Sequence, residues 1–106
     1  MSPPTTNRDA LPTELLDAAA PLLRVMAHPH RLRLIETLLD RRLSVGELAL
    51  TLDLPQAAVS GHLTQLKAHR ILRVEREGRE SFYRVHHPAA SFIIECLQTH
   101  RDELST

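Results

Sequence analysis

Cysteine, aromatic residues and long apolar runs are all scarce in this chain, and each scarcity excludes a class of protein. The single cysteine, Cys96, excludes an intrachain disulfide framework and suits a reducing cytosol. One tyrosine and two phenylalanines offer little surface for stacking single-stranded bases, so an RNA-binding domain is disfavoured. The chain has no apolar run of about 18 residues and no hydrophobic signal segment in MSPPTTNRD, so we expect a soluble, cytoplasmic protein that does not enter a membrane.

An excess of charge is also missing, because 13 lysines and arginines balance 13 aspartates and glutamates. The distribution of these charges is nevertheless uneven. Residues 56–84 carry six basic and three acidic side chains, whereas the remainder of the chain is acidic on balance. This distribution indicates an anionic partner for the segment 56–84.

The side chains needed for enzyme chemistry are present only in a minimal form. Cys96 lies within an apolar stripe, not at a turn or helix start where its thiolate would be activated. The histidines are scattered along the chain. We therefore predict that the protein is not an enzyme.

Hydrophobic periodicity predicts a mainly α-helical domain. Residues 1–10 are rich in proline and threonine and are expected to form a flexible arm, and residues 11–106 form the folded domain. Apolar side chains at helical spacing predict a helix over residues 11–26, which Pro21 is expected to kink or divide. A second helix is predicted to run from Pro29, a favoured first helical residue, to about residue 40.

The remaining pattern predicts two more helices, one β-hairpin and a last helix. Ser44 and Glu47 have the spacing of a capping box at the start of a short helix to about residue 52. Pro55 opens a longer helix to about residue 69. Two β-rich runs flank the charged sequence EREGRE, and Pro88 opens the last helix. The predicted order is therefore α-α-α-α-β-β-α.

The segment PQAAVSGHLTQLKAHRIL combines a buried stripe with an unusual opposite face. Val59, Leu63 and Leu66 have the spacing of a buried helical face, but the other side is small and mildly polar, where an ordinary surface helix would carry long charged residues. A helix that enters the DNA major groove needs such short side chains, which accounts for Gly61. The basic hairpin behind the helix favours this interpretation over an ordinary surface helix. We predict DNA contacts from Gln56, Ala57, Ser60, Gly61, His62 and Thr64, with phosphate contacts from Lys67, Arg76 and Arg79.

Three stretches, LLRVMAHPHRLRLIETL, SVGELALTLDLPQAAVSGHLTQLKAHRIL and EREGRESFYRV, resemble the ArsR/SmtB family of dimeric winged-helix repressors. The resemblance covers about residues 15–100. It implies a winged helix-turn-helix domain that forms a homodimer through its first and last helices and represses transcription from a pseudo-palindromic double-stranded DNA operator. It also implies release by a metal ion or another signal. The resemblance places the dimer interface near Cys96 and Leu97, with Leu15 and Leu22 close by.

The resemblance assigns the ligand positions of each sensor type of this family to particular residues of this chain. The helix SVGELALTL has no cysteine, so the resemblance excludes a site for soft metals. The resemblance implies that the redox-sensing type carries a cysteine pair at the positions of Glu36 and Asp102, so a dithiol switch within one subunit is excluded. The positions of the zinc type are held by His87, Ala89, His100 and Glu103. The resemblance thus implies a zinc site formed by His87, His100 and Glu103, the last two supplied by the opposite subunit.

Simpler interpretations of these side chains remain open. His87 is equally consistent with a helix cap, His100 with a place at the dimer seam and Glu103 with a surface acid. Cys96 is interpreted either as a buried, small apolar residue or as a redox site that links two subunits. His28 is interpreted as a helix-start residue, and the other histidines show no ligand spacing.

Two alternatives to an inducible repressor also remain open. One is a winged-helix module that contacts other proteins and has lost DNA binding. The other is a constitutive DNA-binding regulator without an inducer site. Salt dependence of DNA binding distinguishes the first alternative, because phosphate contacts weaken steeply as salt rises.

Overall fold

The computed structural model describes residues 10–105. The predicted arm 1–10 therefore lies, apart from Ala10, outside the described residues. The described part contains six helices and three strands in the order α-α-β-α-α-β-β-α-α. These are α1 (Thr13–Met26), α2 (Pro29–Thr37), β1 (Leu43–Ser44), α3 (Val45–Leu52), α4 (Gln56–Ala68), β2 (Leu72–Glu77), β3 (Glu80–Val85), α5 (Pro88–Thr99) and α6 (Arg101–Leu104).

One apolar core joins all of the larger elements. Every helix from α1 to α5 and strands β1 and β2 contribute to it, and no polar or charged side chain is buried among the described residues. Its members are Met26, Leu34, Ile35, Leu38, Leu43, Leu48, Val59, Leu63, Leu66, Ile71, Leu72, Ala90 and Ile94. The three residues predicted as the buried face of α4 are all part of this core.

Local hydrogen bonds start the helices where the sequence predicts. Ser44 Oγ accepts from the Glu47 N–H at 3.2 Å, and the Glu47 carboxylate accepts from the Ser44 N–H at 2.9 Å. The predicted capping box of α3 is thus confirmed. The start of α2 at Pro29 is also confirmed, with His28 as its N-cap.

The wing is a three-stranded antiparallel sheet with the order β1-β3-β2. Glu77 and Glu80 face each other at the end of the hairpin, and Gly78 in the turn has a φ of +62°. This left-handed backbone is one that glycine adopts without strain. The sequence predicts the hairpin but not β1, whose Leu43 pairs with Tyr83.

Two predictions for the helices were wrong. Helix α1 is continuous through Pro21, so it is not divided there, and the predicted kink stays a prediction. Pro21 and Asp17 are both exposed, so water can solvate the Asp17 carbonyl that has no proline N–H to accept. Helix α2 ends at Thr37, not near residue 40. Leu38 and Leu39 still pack on the core beyond its end, so the apolar pattern continues after the helix has stopped.

Candidate nucleic-acid interface

Helix α4 has one buried side and one exposed side. Val59, Leu63 and Leu66 anchor it in the core. Of the residues on α4 that are predicted to contact DNA, all but His62 are exposed. They are Gln56, Ala57, Ser60, Gly61, Thr64 and Lys67. The structure therefore brings this predicted set onto the accessible surface of one helix.

The exposed side of α4 carries short side chains. A Cβ atom placed on Gly61 would meet no atom within 4 Å, so nothing inside the described structure requires glycine there. Thr64 Oγ1 donates to the Ser60 carbonyl at 2.9 Å, which leaves its lone pairs to accept from a partner. The backbone of α4 can therefore approach a partner molecule closely on this side, and its polar side-chain atoms remain available to form hydrogen bonds with that partner.

The N-terminus of α4 is capped differently from those of its neighbours. The side chains of His28, Ser44 and His87 cap helices α2, α3 and α5. Pro55 is the N-cap of α4 and offers no such side-chain bond. Uncapped N–H groups at a helix start attract anions such as phosphate. This end of α4 is thus suited to a DNA backbone contact.

The tight turns at both ends of α4 fix its orientation. The Ile71 N–H donates to the Leu66 carbonyl and the Arg70 N–H to the Lys67 carbonyl, both at 2.9 Å. This pair of bonds is the Schellman motif, which here places Arg70 in a left-handed conformation with a φ of +59°. The turn between α3 and α4 has the same arrangement around Asp53, with a φ of +56°.

The two faces of the β2–β3 hairpin differ in charge. Leu72, Val74 and Arg76 lie on one face, because side chains alternate along a strand. Leu72 and Val74 lie at the base of this face, Leu72 within the core, and Arg76 continues it into solvent. Arg79 is exposed in the hairpin turn. Neither arginine forms an ion pair with any residue in the described part of the chain.

The opposite face of the hairpin holds arginines that acids neutralise. Glu75 lies 3.3 Å from Arg42 Nη1, 3.2 Å from Arg73 Nη2 and 3.3 Å from Arg84 Nε. Arg42 also contacts Glu77 at 2.8 Å and lies over the Phe82 ring, 4.5 Å from its centroid. The cations available to DNA are therefore fewer than the charge count of residues 56–84 indicates.

His62 is the predicted DNA contact that the structure places differently. It is half-buried, and its Nδ1 accepts a hydrogen bond from Arg31 Nε at 3.1 Å. Arg31 is held in turn by the Val25 carbonyl at 3.1 Å. Burial, followed by the neighbouring charges of His28, Arg31 and His30, lowers the pKa of His62. His62 is therefore mainly neutral near pH 7, and it faces the start of α2.

A histidine cluster at that point is the feature that sequence reasoning missed. The ligand atoms of His28, His30 and His62 all lie within 4.8 Å of one another. The His28 ring lies 4.7 Å from the His62 ring and 5.5 Å from the His30 ring. The only signal for this cluster in the sequence is the close spacing of His28 and His30. His62 joins them because α4 packs against α2.

The residues predicted to bind zinc lie at opposite ends of α5. His87 Nδ1 accepts from the Ala89 N–H at 3.0 Å and caps the helix. His100 follows the end of α5, where its Nδ1 lies 2.6 Å from Glu103 Oε1. Within one chain, His100 and Glu103 meet and His87 is remote from them. A site that combines all three needs a second subunit.

Apolar side chains are exposed on helices α1 and α5. Leu15, Leu16 and Leu23 are about half exposed on α1, and Phe92 is 74% exposed on α5. Cys96 is exposed on α5, so its interpretation as a buried apolar residue was wrong for the single chain. Leu22 and Leu97 are half-buried and pack on the core. Within residues 10–105, no helix combines the length and apolarity needed to cross a bilayer.

Comparisons with known proteins agree with this architecture. Residues 26–75 match the family described as a helix-turn-helix domain. The chain is 45% identical over 80 residues to the transcriptional repressor SmtB of Mycobacterium tuberculosis, which covers 74% of this chain and 59% of SmtB. It is 36% identical over 83 residues to the transcriptional repressor PagR of Bacillus anthracis, which covers 77% of this chain and 83% of PagR.

Solved structures of relatives share the fold. The crystal structure of PagR matches with a TM-score of 0.75 at 34% identity, covering 81% of this chain and 99% of that one. Reduced HlyU from Vibrio cholerae matches with a TM-score of 0.75 at 36% identity, covering 84% of this chain and 92% of that one. HlyU is named a transcriptional activator. SmtB, PagR and HlyU are all named as transcriptional regulators. Their names support the prediction that the chain is not an enzyme.

Proposed function

Because the chain belongs to the ArsR/SmtB family of winged helix-turn-helix regulators, we propose that it is a transcriptional repressor that binds double-stranded DNA as a homodimer. The named relatives include two repressors and one activator, and SmtB and PagR support the direction proposed here. Its place of action is then the cytoplasm, where the operator lies.

The exposed face of α4 is the observation that carries this proposal. Helix α4, which three buried side chains attach to the core, presents Ser60, Gly61 and Thr64 to solvent, and Lys67 lies further along the same helix. In the major groove, hydroxyl groups exchange hydrogen bonds with base edges while cations contact phosphates. Arg76 and Arg79 extend the basic surface into the wing. We propose that α4 reads bases and that the wing holds the backbone.

Two copies of α4 are needed to read a pseudo-palindromic operator. In a symmetric dimer, the recognition helices address half-sites about one helical turn, ~34 Å, apart. The exposed leucines of α1 and Phe92 of α5 support a dimer through these helices, because exposed apolar surface of this kind marks an interaction site.

We propose that the operator complex responds to an inducer, either a metal ion or another signal. One candidate site combines His87 with His100 and Glu103 of the partner subunit, three ligands that suit Zn²⁺. A redox link between the two copies of Cys96 is a second candidate, and its exposure supports it. Both depend on the dimer.

The proposal is tested by fluorescence anisotropy with DNA from upstream of the gene. We expect tight binding that weakens steeply between about 50 and 200 mM salt, because a protein with several phosphate contacts releases counterions as it binds. Random duplex of the same length should bind weakly. Equal binding to both duplexes, or binding insensitive to salt, would instead favour a protein-contact module.

Base reading is tested separately with Ser60. We expect Ser60→Ala to reduce discrimination between operator and random DNA by about 1–3 kcal/mol, the value of a lost base contact. Ser91→Ala on α5 is the matched control, since the same substitution lies away from α4. Unchanged discrimination in Ser60→Ala would remove Ser60 from the interface.

A further inference from the structure

We propose that His28, His30 and His62 form a binding site for a divalent transition metal ion of the Zn²⁺, Co²⁺ or Ni²⁺ class. Their ligand atoms already lie within 4.8 Å of one another. Three imidazoles around one ion is a ligand set that zinc proteins use, with a fourth position left for water or another donor. This site is separate from the candidate at His87, His100 and Glu103.

The fold holds the three imidazoles from two elements. His28 precedes α2 and His30 lies in its first turn, where Pro29 fixes the backbone between them. His62 lies in the middle of α4, on the side that Val59, Leu63 and Leu66 tie to the core. The rings sit between 4.7 and 5.7 Å apart, so small side-chain rotations bring three nitrogens to one ion.

The hydrogen bonds of the cluster leave its rings open to a metal. Metal ions bind an imidazole through a ring nitrogen, and three imidazoles meet here. Among residues 10–105, no carboxylate accepts a hydrogen bond from the rings of this cluster. A divalent cation would occupy the space between the rings.

Metal binding would replace two hydrogen bonds that now organise the cluster. His28 Nδ1 accepts from the His30 N–H and His62 Nδ1 accepts from Arg31 Nε, each at 3.1 Å. A neutral ring that accepts at Nδ1 carries its proton on Nε2. If the ion binds Nδ1, that lone pair is taken; if it binds Nε2, the proton moves to Nδ1. Either way, Arg31 loses His62 as its acceptor.

This exchange links the metal to the recognition helix. Arg31 connects α4 to the end of α1 through the Val25 carbonyl, so the metal would replace one anchor of α4 with another. Resting on the proposed function, we infer that metal occupancy changes the affinity for operator DNA. His62 would then act as a metal ligand, and the bases would be read by its exposed neighbours on α4.

The site is tested by titrating metal-free protein with Co²⁺ and recording the visible absorption of the bound ion. We expect one Co²⁺ per chain at this site. His30→Gln and His62→Gln should each weaken binding by at least about tenfold, since even the loss of an outer partner of a metal ligand costs about 10–100-fold. The His30 side chain makes no hydrogen bond described within residues 10–105, so His30→Gln should leave the fold intact.

Two histidine variants outside the cluster serve as controls. His86→Gln removes an exposed imidazole, and His100→Gln removes the centre of the other candidate site. Both should retain wild-type Co²⁺ binding at the cluster. Absence of Co²⁺ binding in the wild type, or equal affinity in His30→Gln and His62→Gln, would overturn the proposal. So would binding that only His100→Gln removes.

A second measurement separates the site from its link to DNA. Anisotropy of operator DNA is recorded with and without Zn²⁺ for His100→Gln, which lacks the other candidate site, and for the same variant combined with His30→Gln. We expect Zn²⁺ to shift the affinity of His100→Gln and not that of the double variant. Co²⁺ binding without any shift would overturn the link and keep the site. Co²⁺ binding in a protein that binds no DNA would keep the site and reject the proposed function.

Discussion

Gly61 is a residue at which helix stability and a close approach of DNA would favour different side chains. Glycine in a helix interior is destabilising by about 1 kcal/mol relative to alanine, and a Cβ at this position meets nothing within 4 Å. We therefore expect Gly61→Ala to raise the free energy of unfolding by about 1 kcal/mol in urea titrations. If DNA approaches this face closely, the added methyl group should lower operator affinity in the same variant.

Ala58 supplies the matched control on the same helix. Ala58→Gly should lower the free energy of unfolding by about 1 kcal/mol without adding any atom. If operator affinity simply followed stability, Ala58→Gly would bind more weakly and Gly61→Ala more tightly. The close-approach interpretation of Gly61 fails if Gly61→Ala binds DNA as well as the wild type.

The histidine cluster shows the limit of residue patterns. The sequence places His28 and His30 close together, but His62 lies more than thirty residues further along the chain. Their meeting depends on how α4 packs against α2, which spacing along the chain does not encode. Small residues opposite an apolar stripe were, in contrast, a local signal, and they predicted the exposed face of α4.

At the scale of helices and strands, locally determined features were predictable and non-local ones were not. The capping box at Ser44 and the start at Pro29 depend on residues within one helical turn, and the structure confirms both. Strand β1 has only two residues and exists because β3 lies beside it. No alternation within Leu43–Ser44 could indicate that pairing.

The end of α4 provides a test of backbone strain in an element. Arg70 occupies the left-handed position of a Schellman motif, where a non-glycine residue is disfavoured by roughly 1–2 kcal/mol. We expect Arg70→Gly to raise the free energy of unfolding by about 1 kcal/mol. Arg70→Ala is the control, because it removes the same charge and keeps the Cβ. Equal stability of the two variants would show that the strain is absent.

The wing is tested by comparing two arginines of one hairpin. Arg79 is exposed in the turn without an ion pair among the described residues, whereas Arg73 contacts Glu75 at 3.2 Å. Arg79→Ala should weaken binding to all duplexes alike and reduce the slope of log affinity against log salt by about 0.9, the value for one lost phosphate contact.

Arg73→Ala is the charge-matched control for that experiment. The substitution changes the net charge of the protein by the same amount as Arg79→Ala. The Arg73 guanidinium that it removes contacts Glu75 on the other face of the hairpin. Its salt slope should stay close to that of the wild type. Equal slopes for Arg79→Ala and Arg73→Ala would mean that net charge alone, and not a wing contact, sets the salt dependence.

On the scale of the whole molecule, the two-fold assembly is tested at the exposed face of α1. Leu16 is 50% exposed in the single chain, so Leu16→Glu should leave folding intact. In a symmetric dimer the substitution occurs twice, and an unpaired buried charge costs about 3–5 kcal/mol. Self-association measured by analytical ultracentrifugation should therefore weaken by at least about a hundredfold, at 1.4 kcal/mol per factor of ten.

Leu50 provides the control for this variant, since it is the most exposed leucine, at 85%, and lies on α3 away from both end helices. Leu50→Glu should remain dimeric. The proposed dimer would also determine the response to DNA, because a monomer presents one copy of α4 to one half-site. Leu16→Glu should thus lose the preference for a two-half-site operator while it retains weak, salt-sensitive binding to single half-sites. A variant that stayed dimeric would place the interface on a surface other than the face of α1 that carries Leu16.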